Sequence, residues 1–439
     1  MKILQFGTGI FLRGFFGWIT EQVKHKTDVN PEITVIKLTS SPDRNVQALL
    51  QTKVNIQGLQ NGQNVNETAE LSVLDRYINP YNNWKDYLDS AEDINYKLVV
   101  SNSTEAGLKY SPEEFSDECP DAFPAKLCRW LYRRFIFFNG SAESAVQVMP
   151  FELVEDNGSI LKGLILKHAA DWELDNTFTE WLDRCEFTST LVDRIVTRKS
   201  EDEVMVEPFH FLALSSDKVF DVLPMNQAGI NVVTSDLDGW RNRKVRILNG
   251  AHIMMVALGL PSGKKLVLET AQSSVGQFVK KVLDDEVLAH IGDPVKYADD
   301  VWERFLNPAL KHQLQDIALN SIAKVGVRAV PSALDAIKSD AECDGLFTAI
   351  ASFMLLYRGE VLEPGLLQTE FCQIKDDKDA MATFSELTGA LNLENCEKTA
   401  SLFWTIPKEM QKEFALRLHK AITNIQEDGL EKVIADYLG

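Results

Sequence analysis

Cysteine is scarce in this 439-residue chain: Cys119, Cys128, Cys185, Cys343, Cys372 and Cys396 are its six, and no two form a CxxC pair. That spread excludes a disulfide scaffold and a zinc ribbon, and predicts reduced, mostly buried thiols in a cytoplasmic protein without a metal centre. Long apolar runs are missing too. The opening MKILQFG lacks the apolar stretch of a signal peptide. The most apolar later segment, LFTAIASFMLLY at 346–357, carries Thr348 and Ser352. It is too short to cross a bilayer and suits a buried helix. An excess of positive charge is also absent: 45 Lys and Arg stand against 64 Asp and Glu, a net −19. Such a surface repels phosphate backbones and anionic lipid, which excludes nucleic acid or membrane as the main partner. No internal repeat or low-complexity tract appears. What remains is an ordinary globular composition, 45% apolar and 25% charged, in a chain long enough for two to four domains.

The first 40 residues have a strand–turn–helix–strand rhythm. KILQF at 2–6 reads as a strand, Gly7-Thr8-Gly9 as a tight turn, 11–24 as a helix and ITVIKL at 33–38 as a second strand. YKLVV at 96–100 and AVQVM at 145–149 are further buried-strand candidates. Alternating strands and helices predict a parallel sheet wrapped by helices. From about Lys244 onward strand signals nearly vanish, and long amphipathic stretches at 245–257, 275–290, 299–305, 310–325, 346–357, 380–390 and 408–424 predict an all-α domain. The expected organisation is an α/β Rossmann-like domain over 1–240 and an all-α domain over 241–439.

Gly7-x-Gly9 directly after the first strand allows a backbone to approach a pyrophosphate, with the following helix N-terminus supplying free N–H groups. The third glycine of GxGxxG is missing, since position 12 is Leu12 and Gly14 comes two residues later. Arg13, on the first turn, is placed near phosphate. The second strand ends in Thr39-Ser40-Ser41-Pro42-Asp43-Arg44, so the usual ribose-binding acid is missing or displaced to Asp43, and Arg44 could meet a 2′-phosphate. The polar turn SNSTEAG at 101–107 follows a buried strand, where it either lines a nicotinamide site or caps the next helix. Val192-Asp193-Arg194-Ile195 reads as a partly buried ion pair, structural or substrate-positioning.

Lys244, Asn249 and His252 fall on one predicted helix. At 100° per residue, Asn249 and His252 lie about 60° apart, with Lys244 roughly 80° from His252 and 140° from Asn249. A lysine of lowered pKa can exchange a hydroxyl proton, while Asn and His donate to a developing oxyanion. The competing reading is a solvated lysine with two ordinary helix polar residues.

Taken together, FGTGIFLRG at 6–14, TEAG at 104–107, STLVDRIV at 189–196, KVRILNGAH at 244–252 and ERFLNP at 303–308 resemble, in order, the long-chain polyol and sugar-acid dehydrogenase family typified by mannitol dehydrogenase. The resemblance spans nearly the whole chain. It implies a metal-independent NAD(P)-dependent oxidoreductase with its active site between the two domains. It casts Lys244 as general acid/base and Asn249 and His252 as carbonyl-polarising groups. The cofactor would lie on Phe6, Gly7, Thr8, Gly9, Ile10, Phe11 and Arg13, its nicotinamide near Thr104, Glu105 and Asp193. NADH is favoured over NADPH.

Two positions depart from the family pattern: Thr197 stands where many members have Pro, and the chain opens directly on the first strand. A third departure sorts within the family. Where polyol-oxidising members carry a CDN-like segment with an Asn, this chain reads MPFEL at 149–153, with Glu152 matched to the Asn. That form, with FPAKL at 123–127 and NPALKHQLQDIALN at 307–320, looks most like the branch that reduces tagaturonate to altronate, with the fructuronate-reducing branch next. Mannitol or another polyol, and a non-catalytic dinucleotide sensor, are the alternatives. A ketouronate is an anion, so an acidic chain must supply local cations; Lys311, His312 and Arg358, and beyond them Lys324, are the candidates. Glu152 and Asp193 complete the expected substrate contacts. Monomer and dimer are both open.

Overall fold

The computed structural model describes residues 1–43, 45–103, 105–291 and 295–439, so the expectations placed on Arg44 and Thr104 lie outside the described residues. The chain divides into two compact units, one of Met1–Gln57 with Asn64–Trp240, the other of Gly58–Gln63 with Arg241–Gly439.

In chain order the segment up to Trp240 carries β1 (Lys2–Phe6), β2 (Glu32–Ile36), β3 (Lys53–Gln60), β4 (Gln63–Glu70), β5 (Leu74–Ile78), β6 (Tyr96–Ser101) and β7 (Gln147–Pro150), the tip of the β3–β4 hairpin belonging to the second unit. β8 (Glu186–Phe187), β9 (Thr190–Asp193), β10 (Val196–Arg198), β11 (Glu203–Val206), β12 (Phe211–Leu214) and β13 (Val232–Val233) follow. Six of these form one sheet in the order β5-β2-β1-β6-β7-β8, with every recorded pairing parallel. This is the doubly wound Rossmann arrangement, and the strand order reverses between β1 and β6.

The alternation along each strand explains why the sheet is buried on both faces. Ile3, Ile33, Val35, Leu98, Val100 and Met149 point into one core with Phe15, Phe16, Ile19 and Val23 of the helix after β1. Leu4, Phe6, Ile36, Val99 and Val148 point into the other, against Leu127, Leu131, Leu161 and Ile165 of the helices Phe123–Phe137 and Asn157–Asp171. Two smaller sheets, β10-β11-β3-β4 and β13-β12-β9, complete the unit.

The helix after β1 is continuous from Ile10 to Lys26 but holds a π turn at Arg13–Gly17. Gly14 lies in that turn, where an added Cβ would stand 2.7 Å from Val196 and 2.9 Å from Val206. Gly14 therefore does the close helix–strand packing that the absent third glycine of the fingerprint would do.

The second unit is helical. The helix Gly250–Gly259 (GAHIMMVALG) is buried at every position, and it packs on the helices Val267–Ala271, Ser274–Val282, Leu314–Ile317, Ser321–Arg328 and Asp344–Leu356. The apolar stretch of 346–357 forms most of the helix Asp344–Leu356, buried as expected. No helix among the described residues is long and apolar enough to cross a membrane. All six cysteines are free, four of them buried.

Three features differ from the sequence reading. The stretch 310–325 is not one helix: Asn320, at φ 53°, adopts the left-handed conformation that asparagine tolerates, and separates Leu314–Ile317 from Ser321–Arg328. The stretch 275–290 contains a π turn at Leu283–Val287. A small antiparallel sheet of β14 (Gly359–Glu363), β15 (Leu366–Thr369) and β16 (Gln373–Lys375) interrupts the helices, its first turn made at Gly365 with φ 83°.

Replacing Gly14 by Ala should force Val196 and Val206 apart and cost about 1–3 kcal/mol. Denaturant unfolding of G14A against wild type checks this; an unchanged midpoint would reject the packing role.

Candidate active site

The first unit presents a cleft at the carboxyl ends of its central strands. Parallel register pairs Phe6 with Ile36 on one side and with Ser101 on the other. The residues that follow, Gly7, Lys37 and Asn102, therefore emerge side by side where the strand order reverses, the ligand position of doubly wound sheets. Gly7 has φ 122°, and an added Cβ would stand 3.1 Å from the Asn102 carbonyl oxygen. Gly9 caps the helix, and a Cβ there would meet nothing within 4 Å. That open side is where a pyrophosphate could approach the backbone and the helix N-terminus.

Two cavities line this edge. One, of about 300 Å³, involves Thr8, Gly9, Arg13, Lys37, Thr39 and Arg198. The other, of about 590 Å³, involves Gly7, Thr8, Lys37, Thr39, Asn102 and Ser103. They share Thr8, Lys37 and Thr39 and have the size of cofactor pockets. These observations fit a dinucleotide.

Two cations beside the cleft, Arg13 and Lys37, are held by the protein. Arg13 is buried and donates to Thr52 Oγ1 at 3.0 Å and to the Glu201 carbonyl at 2.9 Å. Lys37, which the sequence reading passed over, donates to Asp43 Oδ1 at 2.7 Å and to the Ser41 carbonyl. Asp43 Oδ1 also accepts from Tyr77 Oη at 2.6 Å and Asn79 Nδ2 at 2.9 Å, and the Lys37 ammonium and these donors hold its carboxyl below the usual range. Phe6 is fully buried, and Ile10 and Phe11 start the helix on the edge of one core.

Glu152 follows β7 and is 2% exposed. Its Oε2 accepts from Ser101 Oγ at 3.0 Å, and its Oε1 accepts from Ser103 N at 2.8 Å and Ser103 Oγ at 3.0 Å. The carboxylate is thus committed to the turn that lines the cleft. Asn157 sews the neighbouring backbone together: its Nδ2 donates to the carbonyls of Pro150 at 3.1 Å and Glu152 at 2.9 Å, and its Oδ1 accepts from Thr190 N at 2.9 Å. Thr190 begins β9, which ends at the buried Asp193.

The expected Asp193–Arg194 ion pair does not form. Successive strand residues point to opposite faces, and Arg194 instead donates to the carbonyls of Glu207 at 3.0 Å and Gly14 at 3.1 Å, with its guanidinium 4.2 Å from the Trp18 ring centre. Burial lowers its pKa to about 9. Glu105 opens a 3-10 turn, Glu105–Leu108.

In the second unit, Lys244–Asn249 is a π-helix running into the helix Gly250–Gly259. The α-helical angles expected for this segment therefore do not apply. A π turn hydrogen-bonds residues five apart and stacks them, so Lys244 and Asn249 come onto one face rather than about 140° apart. Lys244 and Asn249 are half-buried. His252, buried in the first turn of the next helix, has its ring 5.1 Å from His312 and 4.8 Å from Phe305. Burial lowers the His312 pKa, which keeps that imidazole neutral at pH 7.

The structure thus brings His312 to His252. Lys311, next to it, is exposed. Arg358 is not brought there: it lines a separate cavity with Pro261, Ser262, Glu370 and Asp428. Pro261 and Ser262 lie beyond Gly259, the far end of the helix that begins beside Asn249, roughly 10 Å along its axis from His252.

Comparison with known proteins agrees with the fold. The mannitol dehydrogenase Rossmann domain model matches residues 1–223, and the mannitol dehydrogenase C-terminal domain model matches residues 236–389. An altronate oxidoreductase of Halalkalibacterium halodurans is 33% identical over an alignment of 478 residues, covering 100% of this chain and 93% of that protein. One of Bacillus subtilis is 32% identical, covering 99% of this chain and 95% of that protein. Among solved structures, a D-sorbitol dehydrogenase in substrate-free form superposes with TM-score 0.79 at 20% identity, over 98% of this chain and 94% of that one. Pseudomonas fluorescens mannitol 2-dehydrogenase, in a ternary complex with NAD and D-mannitol, superposes with TM-score 0.71 at 19% identity, over 100% and 94%. At those identities the two structures speak for the fold alone.

Glu152 gives a pH test. Burial raises its carboxyl above the ordinary 4.5, with the Ser103 and Ser101 donors opposing. A raised acid binds its proton more tightly folded than unfolded, so its contribution is full below pH 4.5 and is lost as pH rises through the folded value. Glu152→Gln stays neutral throughout. Its unfolding free energy relative to wild type should therefore improve as pH rises from 4.5 to 8. A pH-independent difference in denaturant unfolding would overturn this.

Proposed function

The chain belongs to the mannitol dehydrogenase family and is an oxidoreductase acting on CH–OH groups; on that premise we propose that it is a cytoplasmic NAD-dependent reductase of tagaturonate, forming altronate in hexuronate catabolism. The observation that carries the substrate reading is the match, along essentially the whole chain, to altronate oxidoreductases at 32–33% identity.

NADH, when bound, supplies the hydride that reduces the keto carbon. In this reading the Gly7-Thr8-Gly9 turn and the helix from Ile10 hold its pyrophosphate, with Phe6, Phe11 and Arg13 around them. Gly9 leaves the approach open, and Glu152 fixes the Ser101–Ser103 turn that borders the cleft. The nicotinamide neighbours would be Thr104, Glu105 and Asp193. Asp43, anchored by Lys37, Tyr77 and Asn79, puts negative charge where a 2′-phosphate would otherwise be welcome, which favours NAD.

In the second unit Lys244 gives its ammonium proton to the oxygen that becomes the new hydroxyl. Asn249, stacked with it by the π turn, donates a hydrogen bond to the same oxygen as negative charge develops. His252 completes the set around the keto oxygen, with His312, neutral, packed against its ring. The reverse sequence oxidises altronate, with Lys244 as base.

Lys244→Ala should lower kcat by about 10²–10⁴-fold, the usual worth of a general acid, and leave NADH affinity unchanged. Steady-state rates and NADH fluorescence titration check this; an unimpaired variant would sink the assignment. A panel of tagaturonate, fructuronate, fructose and mannitol, each with NAD(H) and NADP(H), tests the substrate. Turnover of uncharged polyols alone would reject the uronate reading.

A further inference from the structure

Arginines in this protein are normally tied down when they leave water. Arg134, fully buried, donates to the carbonyls of Ser144, Ala91, Asp93 and Tyr96. Arg246 pairs with Asp335 at 2.7 Å and donates to Ser332 Oγ at 2.9 Å. Arg194 and Arg13 use backbone carbonyls in the same way. Arg328 departs from the pattern. It is half-buried at the end of the helix Ser321–Arg328, yet among the described residues its guanidinium has no hydrogen-bond acceptor and no carboxylate partner. Burial lowers its pKa to about 10, and no acid opposes that shift.

Its location is specific. The Arg328 carbonyl oxygen would stand 3.3 Å from a Cβ on Gly250, the residue that follows Asn249 and precedes His252 by two. The helix carrying Arg328 packs on both the π turn Lys244–Asn249 and the helix Gly250–Gly259. Lys324 lies one turn earlier on the same face of that helix, also half-buried. Its ammonium donates to the Ile317 carbonyl at 3.0 Å and to the Leu319 carbonyl, and burial and the Arg328 charge both lower its pKa. The acid that opposes that shift, Asp376, is already engaged: it accepts from Tyr357 Oη at 2.6 Å, Ile322 N at 3.0 Å and Asp377 N at 2.8 Å. The other flank of the helix is packed, with Gly326 against Trp404 and Ile322 and Val325 in the core. Two like charges one turn apart, partly stripped of water and left without a free anion, repel one another. A bound anion would relieve both costs.

We infer that Arg328, with Lys324 beside it, is the subsite that takes the carboxylate of a six-carbon keto sugar acid whose keto group lies at Lys244, Asn249 and His252. The inference rests on the ketouronate reading above and deepens it: the charge that separates a uronate from a ketose is read here, in place of the sequence candidates Lys311, which is exposed, and Arg358, at the other end of the central helix. A planar guanidinium can hold both carboxylate oxygens, and the ammonium adds a point charge without dictating geometry.

The test is steady-state kinetics with tagaturonate on wild type, R328Q, R328K and K324Q, with NADH titration and thermal melting on each. R328Q should raise KM about 100-fold, as expected for loss of a charge-assisted pair, with kcat within about threefold and NADH affinity unchanged. R328K should recover about tenfold of that loss, since it restores the charge without the fork. K324Q should raise KM about tenfold and keeps the inference testable should R328Q fail to fold. Wild-type KM in a folded R328Q, loss of NADH affinity together with KM, or an R328K no better than R328Q would overturn the subsite while leaving the ketouronate reading intact. A wild type that turns over neither tagaturonate nor fructuronate would overturn the reading itself, and the subsite with it.

Discussion

The parallel pairing of β1 between β2 and β6 is the constraint on which the cleft of the first unit depends. A parallel register fixes more than adjacency. Because Phe6 pairs with both Ile36 and Ser101, three chain segments leave the sheet at one level, and their next residues, Gly7, Lys37 and Asn102, are bound to converge. The demands on each follow. Gly7 must turn through a positive φ against the Asn102 carbonyl, Gly9 must leave space, and Asn102 and Ser103 after β6 must hold their place outside any helix or strand. Glu152 meets the last demand from the neighbouring strand, at the cost of burying a carboxylate that accepts from Ser101 and Ser103.

The second unit solves a different problem with the backbone alone. A regular α-helix separates Lys244 and Asn249 by about 140°, which would send the two side chains in different directions. One π turn removes that separation. Such a turn is less favourable than the α-helix around it, so something must hold it. Arg246 within the turn is locked to Asp335 and Ser332, and Gly250 admits the backbone of Arg328 just after it. Packing on both flanks thus holds the offset that brings Lys244 and Asn249 onto one face.

Much of this was legible in the sequence, and the boundary between legible and hidden is physical. β1, β2, β6 and β7 announce themselves because a strand buried on both faces is a continuous apolar run, and the long helices of the second unit because one apolar stripe repeats. Lys244, Asn249 and His252 stand out by type and spacing. The π turns were hidden, since a shift from four to five residues in hydrogen bonding leaves no mark in composition. Gly14 looked like a misplaced fingerprint glycine because its reason for being glycine, Val196 and Val206, lies far along the chain. The strands at 359–375 were missed because β14 is exposed throughout and carries no apolar alternation. Arg358 was named from the sequence and Arg328 was not, because a cation's worth as an anion site is set by what surrounds it, and sequence reports only what it is.

That last point bears on the net charge of −19. An acidic chain has acids to spare for pairing its cations, and among the described residues several buried cations are answered by the protein: Lys37 by Asp43 and Arg246 by Asp335 as ion pairs, Arg194 and Arg134 by hydrogen bonds to carbonyl oxygens. A cation already answered by its own protein has little attraction left for a ligand. In a chain so rich in carboxylates, a half-buried arginine left without one is the costly arrangement, because folding must strip water from its charge and receives no ion pair in return. If Arg328 takes a carboxylate as inferred above, the cost is recovered when the anion binds, which would convert lost folding stability into selectivity for a charged substrate. A net charge of −19 would sharpen such selectivity, since an anion gains little from an acidic surface and must be drawn by a local cation.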